Sequence, residues 1–132
     1  MPLDSGELVA IHQLYASYSF ASDHGDGDAY AACFTPDGSF DMPGRHLQGA
    51  DELLASTGAG RDPGAPVGIR HILSNIVVDG EGDKATGRAY VTLVGTAPTG
   101  IVMTGEYEDQ LQRLDGQWRF SARRFTPDAA PG

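Results

Sequence analysis

The chain has 132 residues, with nine basic side chains against eighteen acidic ones and a formal net charge of −9, a balance that argues against a nucleic-acid backbone or an anionic membrane as partner. A single cysteine, Cys33, excludes an internal disulfide and a Cys-rich metal site and suits a reducing cytoplasm. Met1-Pro2-Leu3-Asp4 lacks the basic and apolar regions of a signal peptide, and no apolar run reaches the length of a membrane span.

This length fits one domain, expected over residues 1–126 with a free tail at 127–132. Asp4 with Glu7 three positions on reads as a capping box, opening a helix from Ser5 to Asp23. At helical spacing Leu8, Ile11, His12, Tyr15, Tyr18, Ser19 and Ser22 share one face, with Asp23 at its edge. That face is apolar early and polar late, as expected when the first turns pack on a sheet and the last turn looks into a cavity. His24-Gly25-Asp26-Gly27-Asp28 breaks the helix and caps a second one running through Phe34. Thr35-Pro36-Asp37-Gly38 reads as a turn that reverses the chain, Ser39 to Met42 as a short strand, and Gly44 to Gly49 as loop. A third helix is expected over Ala50 to Ser56, with acidic residues in its first turn. Gly58 to Pro66, rich in glycine and proline, reads as a flexible loop placed to act as a pocket lid.

The remainder is patterned as antiparallel strands: Arg70 to Val78, Lys84 to Thr96, Ile101 to Leu114 and Gln117 to Thr126. Asp115-Gly116 is a strong hairpin signal. Three helices followed by such a meander make an α+β fold, a cone-shaped barrel whose helices pack on a strongly curved sheet.

Strict alternation along Arg70 to Val78 places His71, Leu73, Asn75 and Val77 on one side and Arg70, Ile72, Ser74, Ile76 and Val78 on the other. A histidine and an amide among apolar neighbours need partners if buried. Asp23, at the end of the first helix, is the expected partner of His71. A carboxylate on one ring nitrogen fixes the tautomer and leaves the other to move a proton near neutral pH. Asn75 is then expected to hold a substrate carbonyl or hydroxyl, and Tyr15 and Tyr18 lead along the helix face toward Asp23. On the last strands Met103, Gly105 and Tyr107 share a face, as do Trp118, Phe120 and Ala122; Tyr107 and Trp118 are candidate pocket walls, and alternation leaves open which faces point inward. Cys33 reads as a small buried hydrophobe, and Arg123 and Arg124 as partners of surface carboxylates. There is no Walker loop, dinucleotide fingerprint, HExxH motif or nucleophile elbow. His12, His24, His46 and His71 lack metal-ligand spacing. No cofactor and no metal are expected.

Three segments, Tyr18 to Gly38, Arg70 to Asn75, and Gly105 to Asp109 with Asp115 to Phe120 and Arg123, resemble the SnoaL-like branch of the NTF2-like superfamily, which includes scytalone dehydratase and small polyketide cyclases. The resemblance spans Ile11 to Arg124. It implies the cone-shaped fold, a homodimer packed through the outer sheet face, and an aspartate on the first helix orienting a strand histidine that acts as base, the positions of Asp23 and His71. The chain departs from scytalone dehydratase at Ser22, where that enzyme has tyrosine, and near Gly95, where a second histidine is missing, so scytalone is not the expected substrate. The implied function is cofactor-independent acid-base chemistry, of dehydratase, cyclase or isomerase type, on a small hydrophobic oxygenated molecule such as a polyketide intermediate. The alternative is a non-catalytic ligand-binding or protein-interaction module of the same fold.

Overall fold

The computed structural model describes residues 2–57 and 68–128. Asp4 caps α1 (Ser5–His24) by accepting the Glu7 backbone N–H at 2.8 Å. Gly25, left-handed at φ 65°, closes the other end by donating its N–H to the Ala21 and Ser22 carbonyls. The capping is one-way, because the Glu7 carboxylate turns instead to Arg113 and to Trp118 Nε1. Asp26 caps α2 (Gly27–Ala32).

Here the chain departs from expectation. β1 (Phe34–Met42) begins directly after α2 and runs through Thr35-Pro36-Asp37-Gly38, which forms an irregularity within the strand rather than a reversal. Pro36 has no N–H to give a ladder, so it fits such a break in pairing. β2 (Arg45–Gln48) then pairs antiparallel with β1 where a loop was expected; its one buried residue is Leu47. After α3 (Ala50–Ala55) come β3 (Ile69–Glu81), β4 (Lys84–Thr96), β5 (Thr99–Leu114) and β6 (Gln117–Pro127). Asp115 and Gly116, both at positive φ, make the tight β5–β6 turn as expected.

The six strands form one unclosed sheet in the order β2-β1-β6-β5-β4-β3. All neighbours are antiparallel except β1 and β6, which pair parallel. The expectation of a wholly antiparallel sheet is corrected at that seam. Parallel partners need a long crossover, and here the rest of the sheet lies between them in sequence, so no hairpin signal marks the pairing.

Two bulges reset the alternation. On β3, Ser74 pairs with Tyr90 and Val77 with Arg88, leaving Asn75 and Ile76 opposite Ala89. Asn75 takes a left-handed conformation at φ 55°, which asparagine tolerates better than most residues. Ile76 and Val78 therefore turn inward with His71 and Leu73, while Asn75 and Val77 are exposed, correcting the strict alternation read from sequence. On β6, Phe120 pairs with Leu111 and Ala122 with Gln110, so Ser121 is extra. Arg123 then joins Trp118 and Phe120 on the buried side.

α1 lies against β3 and β6. Its Ile11, Tyr15 and Tyr18 share the core with Phe34, Phe40, Val91, Tyr107, Leu111 and Phe120. Among the described residues no helix is long and apolar enough to cross a membrane. The glycine- and proline-rich stretch from Gly58 to Pro66 lies outside the described residues. The tail read as free from Pro127 is tied through Asp128, whose N–H donates to the Thr104 carbonyl at 2.9 Å and whose Oδ2 accepts from Thr104 Oγ1 at 2.7 Å.

Candidate functional site

The end of α1 meets the start of β3 at one contact. Asp23 Oδ1 lies 2.6 Å from His71 Nδ1, and the His71 backbone N–H also donates to the carboxylate, at 3.0 Å to Oδ1 and 3.2 Å to Oδ2. One carboxylate thus holds both the strand backbone and the ring. A carboxylate accepts, so a neutral ring held this way carries its proton on Nδ1 and leaves the Nε2 lone pair free. Both side chains are nearly covered, at 19% exposure for His71 and 15% for Asp23.

His71 stands between two hollows. An outer groove is lined by Ser19, Phe20, Asp23, His24, Arg70 and Thr96. On the other side lies a cavity of about 200 Å³, walled by Tyr18, Tyr30, Phe40, Leu93, Tyr107 and Phe125, with Arg45 and Ser56 also on its lining. That is below the ~300–1,000 Å³ of pockets for drug-sized ligands, so the space suits one or two rings rather than a large polycycle. Tyr18 and Tyr30 hydroxyls are 3.2 Å apart. Burial, above all, raises the pKa of all three phenols: Tyr30 is pushed up to about 12, and Tyr18 and Tyr107 shift in the same direction. They are neutral hydrogen-bond donors at physiological pH.

Of the residues singled out from sequence, Asp23, His71, Tyr18 and Tyr107 come together here. Tyr15, Asn75 and Trp118 do not line this cavity. The Tyr15 hydroxyl donates to Asp109 Oδ2 at 2.5 Å deep in the core. A side chain at Gly87 would collide with that hydroxyl, so the glycine on β4 makes room for the bond. Asn75 stands on the exposed bulge, and Trp118 donates to Glu7 Oε2 at 2.7 Å near the start of α1.

Sequence reasoning missed Tyr30, Arg45 and the place of Arg123. Arg123, expected on the surface, is fully buried and grips Asp109 with two bonds, Nε to Oδ1 at 2.7 Å and Nη2 to Oδ2 at 3.0 Å. Its guanidinium carbon lies 3.7 Å from the Tyr107 ring centroid, 4.1 Å from Phe120 and 4.3 Å from Tyr18. Nη1 has no hydrogen-bond acceptor within reach, and these ring faces give the cation an alternative partner. Burial opposes its charge, but the Asp109 carboxylate outweighs that and raises the pKa of Arg123. The Arg123 guanidinium therefore stays charged beneath two of the cavity phenols. The parity of Tyr18, Tyr107 and Phe120 gave no hint of it, because the β6 bulge decides where Arg123 points.

A second histidine also meets a carboxylate. His46 Nδ1 is 2.5 Å from Asp41 Oδ1, but its Nε2 is 3.0 Å from Gln48 Oε1. Both nitrogens are engaged, and the hydrogen bonds to Asp41 and Gln48 raise its pKa. It has no spare lone pair for base chemistry. The Cys33 thiol, pushed up to about 11 by burial, is no nucleophile at neutral pH. Among the described residues no three His, Cys, Asp or Glu side chains are placed to hold a metal ion.

Comparison with solved structures gives the same architecture. A protein of unknown function with a cystatin-like fold from Nostoc punctiforme PCC 73102 superposes with a TM-score of 0.90 at 27% identity, over 98% of this chain and 97% of that one. A variant of Rv3472, a protein of unknown function from Mycobacterium tuberculosis, gives 0.86 at 33% identity, over 94% of this chain and 73% of that one. A protein provisionally designated a scytalone dehydratase, from Novosphingobium aromaticivorans DSM 12444, gives 0.77 at 26% identity, over 94% and 85%. No curated protein matches the sequence. The SnoaL-like domain family matches residues 6–124, nearly the whole described fold. The chain belongs to the SnoaL-like domain family.

Proposed function

We propose that the chain is a cofactor-independent acid-base enzyme, of dehydratase, cyclase or isomerase type, acting on a small hydrophobic oxygenated molecule such as a polyketide intermediate. The observation that carries this is the Asp23–His71 contact at 2.6 Å beside a cavity walled by phenols. His71 Nε2 removes a proton from a carbon next to a carbonyl, and the Asp23 carboxylate supports the imidazolium as it forms. A neutral phenol, from Tyr18, Tyr30 or Tyr107, donates to the oxygen on which the negative charge gathers. In an elimination, the enolate then expels a hydroxyl, which leaves as water with the proton that His71 returns. In an isomerisation, that proton goes back to a different carbon. The same reading makes the molecule a cone-shaped barrel in the cytoplasm. It pairs two copies through the outer sheet face, where Ile72, Val77 and Tyr90 are exposed.

The test is exchange of α-protons into deuterated water, followed by NMR on a panel of one- and two-ring ketones. Wild-type protein is expected to accelerate exchange on at least one member. His71→Ala and Asp23→Asn should each lose about 10²- to 10⁴-fold of that acceleration while keeping a cooperative unfolding transition. Variants that lose stability but exchange as fast as wild type would move the pair from catalysis to structure and favour a binding module.

A further inference from the structure

The cavity beside His71 is lined among the described residues by no acidic side chain, in a chain with twice as many acidic as basic groups. Among the described residues it does hold one permanent cation, Arg45. Arg45 opens β2, and alternation puts it on the same face as Leu47, which is buried. His46 and Gln48, on the other face, bond to each other and, through His46, to Asp41. Arg45 and Leu47 both line the cavity. Arg45 is exposed at its mouth, and no carboxylate among the described residues pairs with it. Three other arginines are paired: Arg88 with Glu106, Arg113 with Glu7 and Asp83, and Arg123 with Asp109. Arg45 thus combines an open guanidinium, an apolar enclosure and a nearby base.

Resting on the acid-base reading above, we infer that Arg45 is a specificity-determining residue and that the substrate carries a carboxylate, held at the mouth of the cavity while its ring lies against the phenols. The guanidinium presents two parallel N–H donors that match a carboxylate, which lysine cannot reproduce. The overall charge of −9 repels such an anion at long range, so discrimination depends on this short contact and weakens with added salt. The small volume limits the rest of the molecule to one or two rings.

The test uses a matched pair of probes, 2-naphthoate and 2-naphthamide, titrated calorimetrically into the full chain. Wild type is expected to bind the carboxylate about tenfold or more tighter than the amide. Arg45→Met should abolish that preference by weakening the carboxylate far more than the amide, since the methionine keeps the apolar stem and loses only the charged donors. Arg45→Lys should restore only part of it. His71→Ala should keep the preference, which separates this site from the base: if proton exchange fails while the Arg45-dependent preference stands, the catalytic reading falls and the carboxylate site remains. Equal binding of the two probes by wild type, binding of neither, or a preference that survives Arg45→Met and vanishes in His71→Ala would each overturn the inference.

Discussion

Arg123 heads the fully buried side chains by volume, and it is charged. Taking a guanidinium and a carboxylate out of water costs several kcal/mol per ion, which only good geometry offsets. Here the geometry is good: a two-pronged contact with Asp109, a third bond to the same carboxylate from Tyr15, and four aromatic rings within 5.2 Å of the guanidinium carbon. Removing one ion leaves the other stranded; removing both leaves no buried charge, only the Tyr15 hydroxyl without its acceptor. Arg123→Met and Asp109→Leu are each expected to cost about 3–5 kcal/mol in urea unfolding, a large part of a domain's stability. The double substitution should cost less than either alone. Additive losses would mean that the two charges act independently, and the network described above would not hold.

At the scale of elements, the register of β3 decides which residues can meet a ligand. His71 lies before the bulge and keeps the parity read from sequence; Asn75 sits at it, and everything after is shifted by one. Asn75→Gly should therefore leave both stability and proton exchange close to wild type, because glycine takes φ 55° at little steric cost. Asn75→Val should cost about 1–2 kcal/mol, since a β-branched side chain resists that conformation. A loss of exchange in Asn75→Gly with an intact fold would return the amide to the site. This also explains what could be read in advance. The helix cap at Asp4, a cap for α2 from either Asp26 or Asp28, the Asp115-Gly116 turn and the placement of Asp23 against His71 were legible, because each rests on local chemistry or on the ends of long elements. The β1–β6 seam, the two bulges and β2 were not. Each depends on contacts between distant segments, or on a single extra residue that periodicity cannot locate. Arg45 was lost with β2, in a stretch that reads as loop until its hairpin partner is known.

Over the whole molecule, the core holds an unusual amount of weakly acidic hydrogen. Four of the five tyrosines, Tyr15, Tyr18, Tyr30 and Tyr107, are buried together with Cys33, and burial, first among the causes, raises the pKa of each. The folded chain therefore keeps protons that the unfolded chain releases, at about 8.5 for a thiol and about 10 for phenols. The stability these groups contribute is complete below those unfolded values and is lost as pH rises toward the folded ones, about 11 for Cys33 and about 12 for Tyr30. Each retained proton removes about 1.4 kcal/mol per pH unit. One thiol makes a gentle slope just above pH 8.5; above pH 10 the phenols join it and the slope steepens several-fold. The contribution of the thiol and the phenols to stability, read by urea unfolding, should thus hold steady to about pH 8.5, decline slowly to about pH 10 and then collapse. Cys33→Ala should flatten only the first stage. Tyrosinate absorbance from the buried phenols should rise together with the loss of helical circular dichroism. Phenols that ionise well before the helices melt would show that water reaches them in the folded state, and the apolar cavity that supports the acid-base reading would have to be given up.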